Sequence, residues 1–325
     1  MSSLLKMVPP HIIKSLKFMG IAAVVIIGVA LLACIFDYIW LLVKKEEKRK
    51  FKMVFIDMDG TLLNKRCQIL PSTIKDIDYV TVKKNVNCVF CTGRAVDEVI
   101  PYYKMVPQIK YGVCCNGALI YNFEKDKEMY FKGFDAKYAK EIFDIVYKNE
   151  GLVHIMAKNS IMSKADFDIL AEKDLSSFAS WFKDVGTIVE DIYETAEEMG
   201  QITKLNLYFP DEKTRRKVRA ELESLNLPLV YTDCGKRILE VTDKEINKGI
   251  GARLLAKHLD IPMGHTMGIG DDKNDIPLLE AVGYPVAMDN AKEEVFDMAS
   301  YVTSNHNRNG VGKALRKLCK QKNQN

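Results

Sequence analysis

The sequence lacks a strong charge of either sign. Its formal net charge is +4 over 325 residues, and even that excess is confined to one end. Residues 1–52 hold nine Lys/Arg against three Asp/Glu, and the remainder holds 38 against 40. No basic face for nucleic acid is left; the positive charge flanks an apolar run. A disulfide framework is not expected either. The eight cysteines are few for a chain this long, and several lie in apolar runs, where a free thiol behaves as a small hydrophobe. Cys88, Cys91, Cys114 and Cys115 do not read as zinc ligands. The first two share a strand-like run, and the last two are adjacent with opposite side-chain directions. Reduced thiols in the cytosol fit this pattern.

Long hydrophobic runs are also scarce: there is one. Residues 18–36 carry no charge, and about 20 apolar residues span a bilayer core. Tyr38 and Trp40 suit the interfacial belt, and Asp37 sits where a carboxylate is tolerated. Five basic residues follow within 44–50, against three in the tail before the run. No clear small-x-small cleavage site precedes them, so the run reads as an uncleaved single-pass anchor. The positive-inside rule puts the following domain in the cytoplasm.

What is present is an acidic cup. Met53-Val54-Phe55-Ile56 reads as a short buried strand, and it runs straight into Asp57-Met58-Asp59-Gly60-Thr61. On extended chain, i and i+2 point to one side. Unpaired buried carboxylates are costly, so a cation or a reacting centre is expected there. Gly60 permits the sharp turn that follows, and Thr61 can tie it down.

Asp-x-Asp-Gly-Thr after an apolar strand resembles the first motif of the haloacid dehalogenase (HAD) phosphatase superfamily. The other motifs follow in order. A second strand-like run, 86–91, ends in Thr92-Gly93-Arg94, where a hydroxyl and a backbone N–H can clamp phosphate. A third, 111–115, ends in Asn116-Gly117-Ala118. Asn247-Lys248-Gly249 opens a helix, and a lysine there opposes the helix dipole unless an anion keeps it company. Gly270-Asp271-Asp272-Lys273-Asn274-Asp275 then gathers the carboxylates that suit a hard, oxygen-loving ion such as Mg2+. Val286-Ala287-Met288-Asp289-Asn290-Ala291 continues the likeness, which covers about residues 52–320 and is similar to the Cof-type branch.

The alternation of strands and helices predicts an α/β fold, a Rossmann-like parallel sheet, with its site beyond the carboxyl ends of the strands. The expected domains are a tail and transmembrane anchor at 1–50, a HAD core at 51–118 and 237–325, and an inserted α+β cap at 119–236. The strand at 238–241 is expected to return to the core. The cap carries no readable catalytic code; His154, Lys204, Tyr208 and Tyr231 are candidates to face the site.

The resemblance implies a Mg2+-dependent phosphatase acting on small phosphorylated metabolites such as sugar phosphates, or a flavin or pyridoxal phosphate. It implies Asp57 as nucleophile and Asp59 as acid and base. Met58, Thr92, Gly93, Lys248 and Asn274 would hold the phosphate. Asp57, Asp59 through its carbonyl, Asp271 and Asp275 or Asp272 would hold the metal. The alternatives are a phosphomutase of the phosphomannomutase kind and a membrane-tethered binding protein without turnover. An acid at Asp59 and a single membrane span separate the chain from the family's ion-pumping ATPases, and a large cap argues against folded protein substrates.

Overall fold

The computed structural model describes residues 31–38, 51–172 and 176–319. The chain divides into two units, 1–50 and 51–325. Of the first unit, residues 31–38 are helical. Most of the expected anchor lies outside the described residues, and among the described residues no helix is long and apolar enough to cross a membrane.

The second unit begins with β1 (Met53–Ile56), whose four residues are all buried. Strands β2 (Asn87–Cys91) and β3 (Tyr111–Cys114) follow, then a hairpin of β4 (Leu119–Asn122) and β5 (Lys127–Phe131). Short β6 (Phe134–Asp135) leads to β7 (Leu152–Met156), β8 (Ser160–Ser163) and β9 (Thr187–Val189). Next come β10 (Gln201–Ile202), β11 (Lys204–Tyr208), β12 (Leu229–Cys234) and β13 (Ile238–Asp243). The chain closes with β14 (Thr266–Gly270), β15 (Tyr284–Ala287) and β16 (Tyr301–Val302).

These strands build two main sheets. The first has the order β16-β15-β14-β1-β2-β3-β4-β5. It is parallel from β16 to β3, and the β4–β5 hairpin extends it antiparallel. Strands buried on both faces need apolar residues throughout, which is why Met53-Val54-Phe55-Ile56 does not alternate. Ile56 lies opposite Ile269 on one side and Phe90 on the other. That register brings Asp57, Thr92 and Asp271 out at one edge of the sheet.

The second sheet has the order β12-β13-β11-β7-β8-β9 and is antiparallel except for the β8–β9 pair. One face packs Val153, Ile155, Leu205, Leu207, Leu239, Val241 and Tyr231 into a separate core. That core lies against helices Ala139–Lys148 and Glu212–Ser224, the latter started by Asp211, which accepts from Thr214 N at 2.7 Å.

Two expectations are corrected here. The strand at 238–241 does not return to the first sheet: it pairs with β11 and β12 inside the second. Its alternation explains this, since Leu239 and Val241 face the second core while Glu240 points away, a pattern suited to a sheet with one apolar face. Conversely, residues 119–131, assigned to the insert, pair within the first sheet.

Candidate active site

Asp57 follows β1 and is 5% exposed. Its Oδ1 accepts from Lys248 Nζ at 2.6 Å, and the same Nζ donates to Asp275 Oδ1 at 2.6 Å. Lys248 reaches that position because Asn247 caps its helix, accepting from Ile250 N at 3.0 Å, and so starts the helix Lys248–His258 at the lysine. Asp275 is fully buried, and its Oδ2 accepts from Asp271 N at 2.9 Å and Asp272 N at 3.2 Å.

Asp271 is held from two sides. The Thr61 hydroxyl donates to its Oδ1 at 2.9 Å, and Asn290 Nδ2 donates to its Oδ2 at 3.2 Å. Asn290 also donates to Gly60 O at 2.9 Å and accepts from His306 N at 3.0 Å. Gly60 has φ +82°, and a Cβ there would stand 2.2 Å from Asp271 Oδ2, so the turn needs glycine on both counts.

The carboxylates of Asp57, Asp271 and Asp275 offer oxygen atoms that all lie within 4.8 Å of one another. Three acids share one ammonium. Burial and then the charge of Asp275 raise Asp57 well above the usual carboxylate range, against the pull of Lys248. The same two causes push Asp271 up to about 7. Burial opposes the charge on Lys248, but Asp275 and Asp57 outweigh it and hold the ammonium well above its usual value. An all-oxygen set with surplus negative charge fits a hard divalent cation and does not fit zinc, which favours sulfur and nitrogen. Among the described residues the cysteines are unbridged and take no part in this group.

Asp59 turns elsewhere. Its two oxygens accept from Arg94 Nε at 2.7 Å and Nη2 at 2.6 Å, a bidentate pair. Burial pushes its carboxyl up, but Arg94's hydrogen bonds and charge outweigh that and hold it below the usual range. The guanidinium in turn lies 5.4 Å from the Tyr102 ring and 5.6 Å from the Trp181 ring.

Of the remaining expected residues, Thr92 and Gly93 line the same cavity as Asp57 and Asp59, and so does Asn274. Thr92 Oγ1 accepts from Arg94 N at 3.1 Å, closing the turn after β2. Met58 differs: its side chain is fully buried in the main core, which leaves only its backbone for the site. Asp272 is a local cap, accepting from Lys273 N at 2.7 Å, while Asp275 belongs to the carboxylate group.

The cavity has a volume of about 660 Å³ and is lined on one side by residues of the second sheet. His154, Lys204 and Tyr208, three of the four candidates from the cap, line it. Tyr231 does not: it packs in the cap core and donates to Leu222 O at 3.3 Å. Strand parity carries the signal, because Tyr231 pairs with inward-facing Val241.

Three participants were not among the expected site residues. Arg94 was visible only as the end of a motif, and Asn290 only as part of a pattern. Glu240 gave no hint, yet it joins the two sheets. It accepts from Lys204 Nζ at 2.5 Å and Asn116 Nδ2 at 2.8 Å, while Lys204 also donates to Gly93 O at 3.0 Å.

Residues 54–315 match the family model described as haloacid dehalogenase-like hydrolase. The chain is 25% identical over 274 residues to the putative phosphatase YxeH of Bacillus subtilis (strain 168), covering 82% of this chain and 98% of that one. It is also 25% identical over 284 residues to the 5-amino-6-(5-phospho-D-ribitylamino)uracil phosphatase YwtE of the same organism, covering 80% and 95%. Among solved structures, a haloacid dehalogenase-like hydrolase from Bacteroides thetaiotaomicron shares the fold. Its TM-score is 0.73 at 20% identity, over 83% of this chain and 100% of that one. The chain therefore belongs to the haloacid dehalogenase-like hydrolases and is a HAD-type phosphatase, a phosphoric monoester hydrolase.

Proposed function

We propose that the protein hydrolyses small phosphorylated metabolites, sugar or polyol phosphates among them, through a covalent phosphoryl-aspartate at Asp57. The observation that carries this is the buried Asp57–Lys248–Asp275 constellation beside Asp271, at the floor of a cavity roofed by the cap. A cavity of that kind admits a small ester and excludes a folded protein. YwtE, whose name specifies a phosphorylated ribityl compound, is consistent with a polyol-bearing substrate.

In this reading an oxygen of Asp57 attacks phosphorus, and the bond to the leaving oxygen breaks. Asp59 gives that oxygen its proton. Asp59 then takes a proton from water, which attacks phosphorus and frees Asp57 and inorganic phosphate. Thr92, the backbone at Met58 and Gly93, Asn274 and Lys248 hold the phosphoryl oxygens. Asp57, Asp271, Asp275 and the Asp59 carbonyl would hold Mg2+, which when bound neutralises phosphoryl charge. Asp59 begins paired with Arg94, so it must be released to carry a proton. A phosphate ester offers Arg94 another anion and thereby frees Asp59.

The domain reading is a core of two segments, 51–131 and 244–319, with a cap between them, and a single-pass anchor at 18–43 that keeps the core in the cytoplasm. The apolar run and the basic cluster after it support the anchor. Alkaline carbonate washing of membranes should leave the full-length chain in the pellet, and its extraction would remove the anchor.

The enzymatic test is phosphate release by the purified full-length chain with Mg2+ against a panel of phosphorylated metabolites, beside Asp57→Asn. Release that needs both the ion and Asp57 is expected. Release undiminished in Asp57→Asn would overturn the mechanism.

A further inference from the structure

We propose that Asp97 is a positioning residue for the reaction: it seats the cap on the first turn of the helix Val96–Met105, and the seated cap sets Gly93 and Arg94 in place. The proposal rests on the phosphatase reading above and adds a residue to it.

This helix begins without the side-chain acceptor that ordinarily closes a helix start. Ala95, the residue before it, is extended as that position requires, but its methyl side chain offers no oxygen. The first-turn N–H groups must find acceptors elsewhere. Glu98 N donates to Asp97 Oδ1 at 2.7 Å. Val96 N and Asp97 N cross instead to the second sheet. There the β7–β8 turn supplies the carbonyls of Ala157, at 3.4 Å, and Lys158, at 3.0 Å. Asp97 returns the contact, since its Oδ2 accepts from Ser160 N at 2.6 Å. The Cys115 thiol, just past β3, donates to the same Ala157 carbonyl at 3.4 Å. Residues 157–160 thus do for this helix what a serine or aspartate would do at Ala95.

The helix start is two residues from the chemistry. Thr92 O and Arg94 O stay within the first sheet's own loops, accepting from Asn116 N at 3.0 Å and Cys115 N at 2.9 Å. Gly93 O, between them, accepts from Lys204 Nζ of the second sheet at 3.0 Å. The Arg94 guanidinium, which holds Asp59, lies between the ring of Tyr102 on this helix and that of Trp181 from the cap. The segment 92–97 is therefore built in part by the core and in part by the cap. Lys204 on β11 and the turn after β7 belong to neighbouring strands of one sheet, so their contacts with this segment form and break together. A phosphate ester that draws on Thr92, Gly93 and Arg94 favours the seated form and is bound less well when that form is scarce.

Residue-resolved hydrogen exchange on the purified full-length chain tests the seat without reference to turnover. In Asp97→Ala, Ser160 N loses its acceptor, and its exchange should quicken by roughly tenfold, the size of a lost buried hydrogen bond. Exchange at Val96, whose own acceptor is untouched, should quicken with it, while β1 and β2 keep their rates. In kinetics the same variant should raise KM by about threefold or more and leave kcat within about twofold, because saturating substrate reseats the cap. Faster exchange confined to Ser160, or a loss of kcat at unchanged KM, overturns the proposal. If the variant does not fold, the unaltered chain decides. Val96, Asp97 and Ser160 should then share one level of protection, below that of β1 and β2, and unmatched levels overturn the cooperative seat. No phosphate release from any phosphorylated compound overturns the phosphatase reading, and the exchange rates still decide whether Asp97 seats the cap.

Discussion

At Asp271 each carboxylate oxygen has its own donor, Thr61 on one and Asn290 on the other. Two fixed donors orient the group, and Asn290 ties it to the Gly60 turn and to the loop at His306. In the proposed function Asp271 holds the ion, and partners of such groups are worth about 10–100-fold in affinity. Asn290→Leu should therefore raise the Mg2+ concentration that half-saturates the ion's stabilising effect by roughly tenfold or more. Thermal melts across a Mg2+ series measure this without reference to turnover. Superimposable midpoint-versus-Mg2+ curves would reduce Asn290 to a loop tie. At this scale the sequence was most legible where chemistry conflicts with packing. Asp57 and Asp59 stand out because two acids at a strand end have no core purpose. Asn290 does not, since an asparagine in a turn needs no such explanation. The Arg94–Asp59 pair was equally hidden, because it joins residues 35 positions apart through a contact that only the fold creates.

The strands of the cap carry a connection from one sheet to the other. Lys204 on β11 reaches Gly93 O after β2, and Glu240 on β13 reaches Asn116 after β3. Gly93 has little freedom: a Cβ there would stand 2.9 Å from Asn116 Oδ1 and 3.1 Å from Lys204 Nζ. Cap placement and the Thr92–Gly93 turn are thus joined through a buried ion pair. Removing one partner of such a pair typically costs about 3–5 kcal/mol, whereas replacing both with apolar groups is often neutral. Lys204→Met should lower urea-unfolding stability by about that amount, and Lys204→Met with Glu240→Leu should recover most of it. The double variant should still show a raised KM, because Gly93 O has lost its donor. A KM equal to that of the unaltered chain would show the pair to be structural only. The correction at β13 belongs to this scale. Its strand character was legible, but its membership was read from order along the chain. The glutamate in its middle was the contrary signal, since strands of a doubly covered parallel sheet are apolar on both faces.

For the whole molecule, the alternation of strands and helices was enough to foresee a parallel sheet, and the inserted cap followed from the resemblance of the motifs to the family. The seam between them was not foreseeable, because it is made of contacts between segments that sequence patterns treat separately. The start of the helix Val96–Met105 is one such seam. Asp97 N donates to Lys158 O at 3.0 Å, and Asp97 Oδ2 accepts from Ser160 N at 2.6 Å. Beside it Glu98 is 3% exposed and accepts from Ala95 N at 3.1 Å. Burial, opposed by the charge of Arg94, pushes the Glu98 carboxyl up to about 7 from an ordinary 4.5. A carboxyl raised in the folded state favours folding most when it is protonated. Its contribution is whole below about 4.5 and is lost as pH rises through about 7. Glu98→Gln keeps an acceptor for Ala95 N and removes the charge. Its melting temperature should match the unaltered chain near pH 4 and exceed it at pH 8 by on the order of 5 °C. Melting curves from pH 4 to 8 measure the difference directly. Equal midpoints at pH 8 would mean that Glu98 ionises there without penalty, and that water reaches the seam between the sheets.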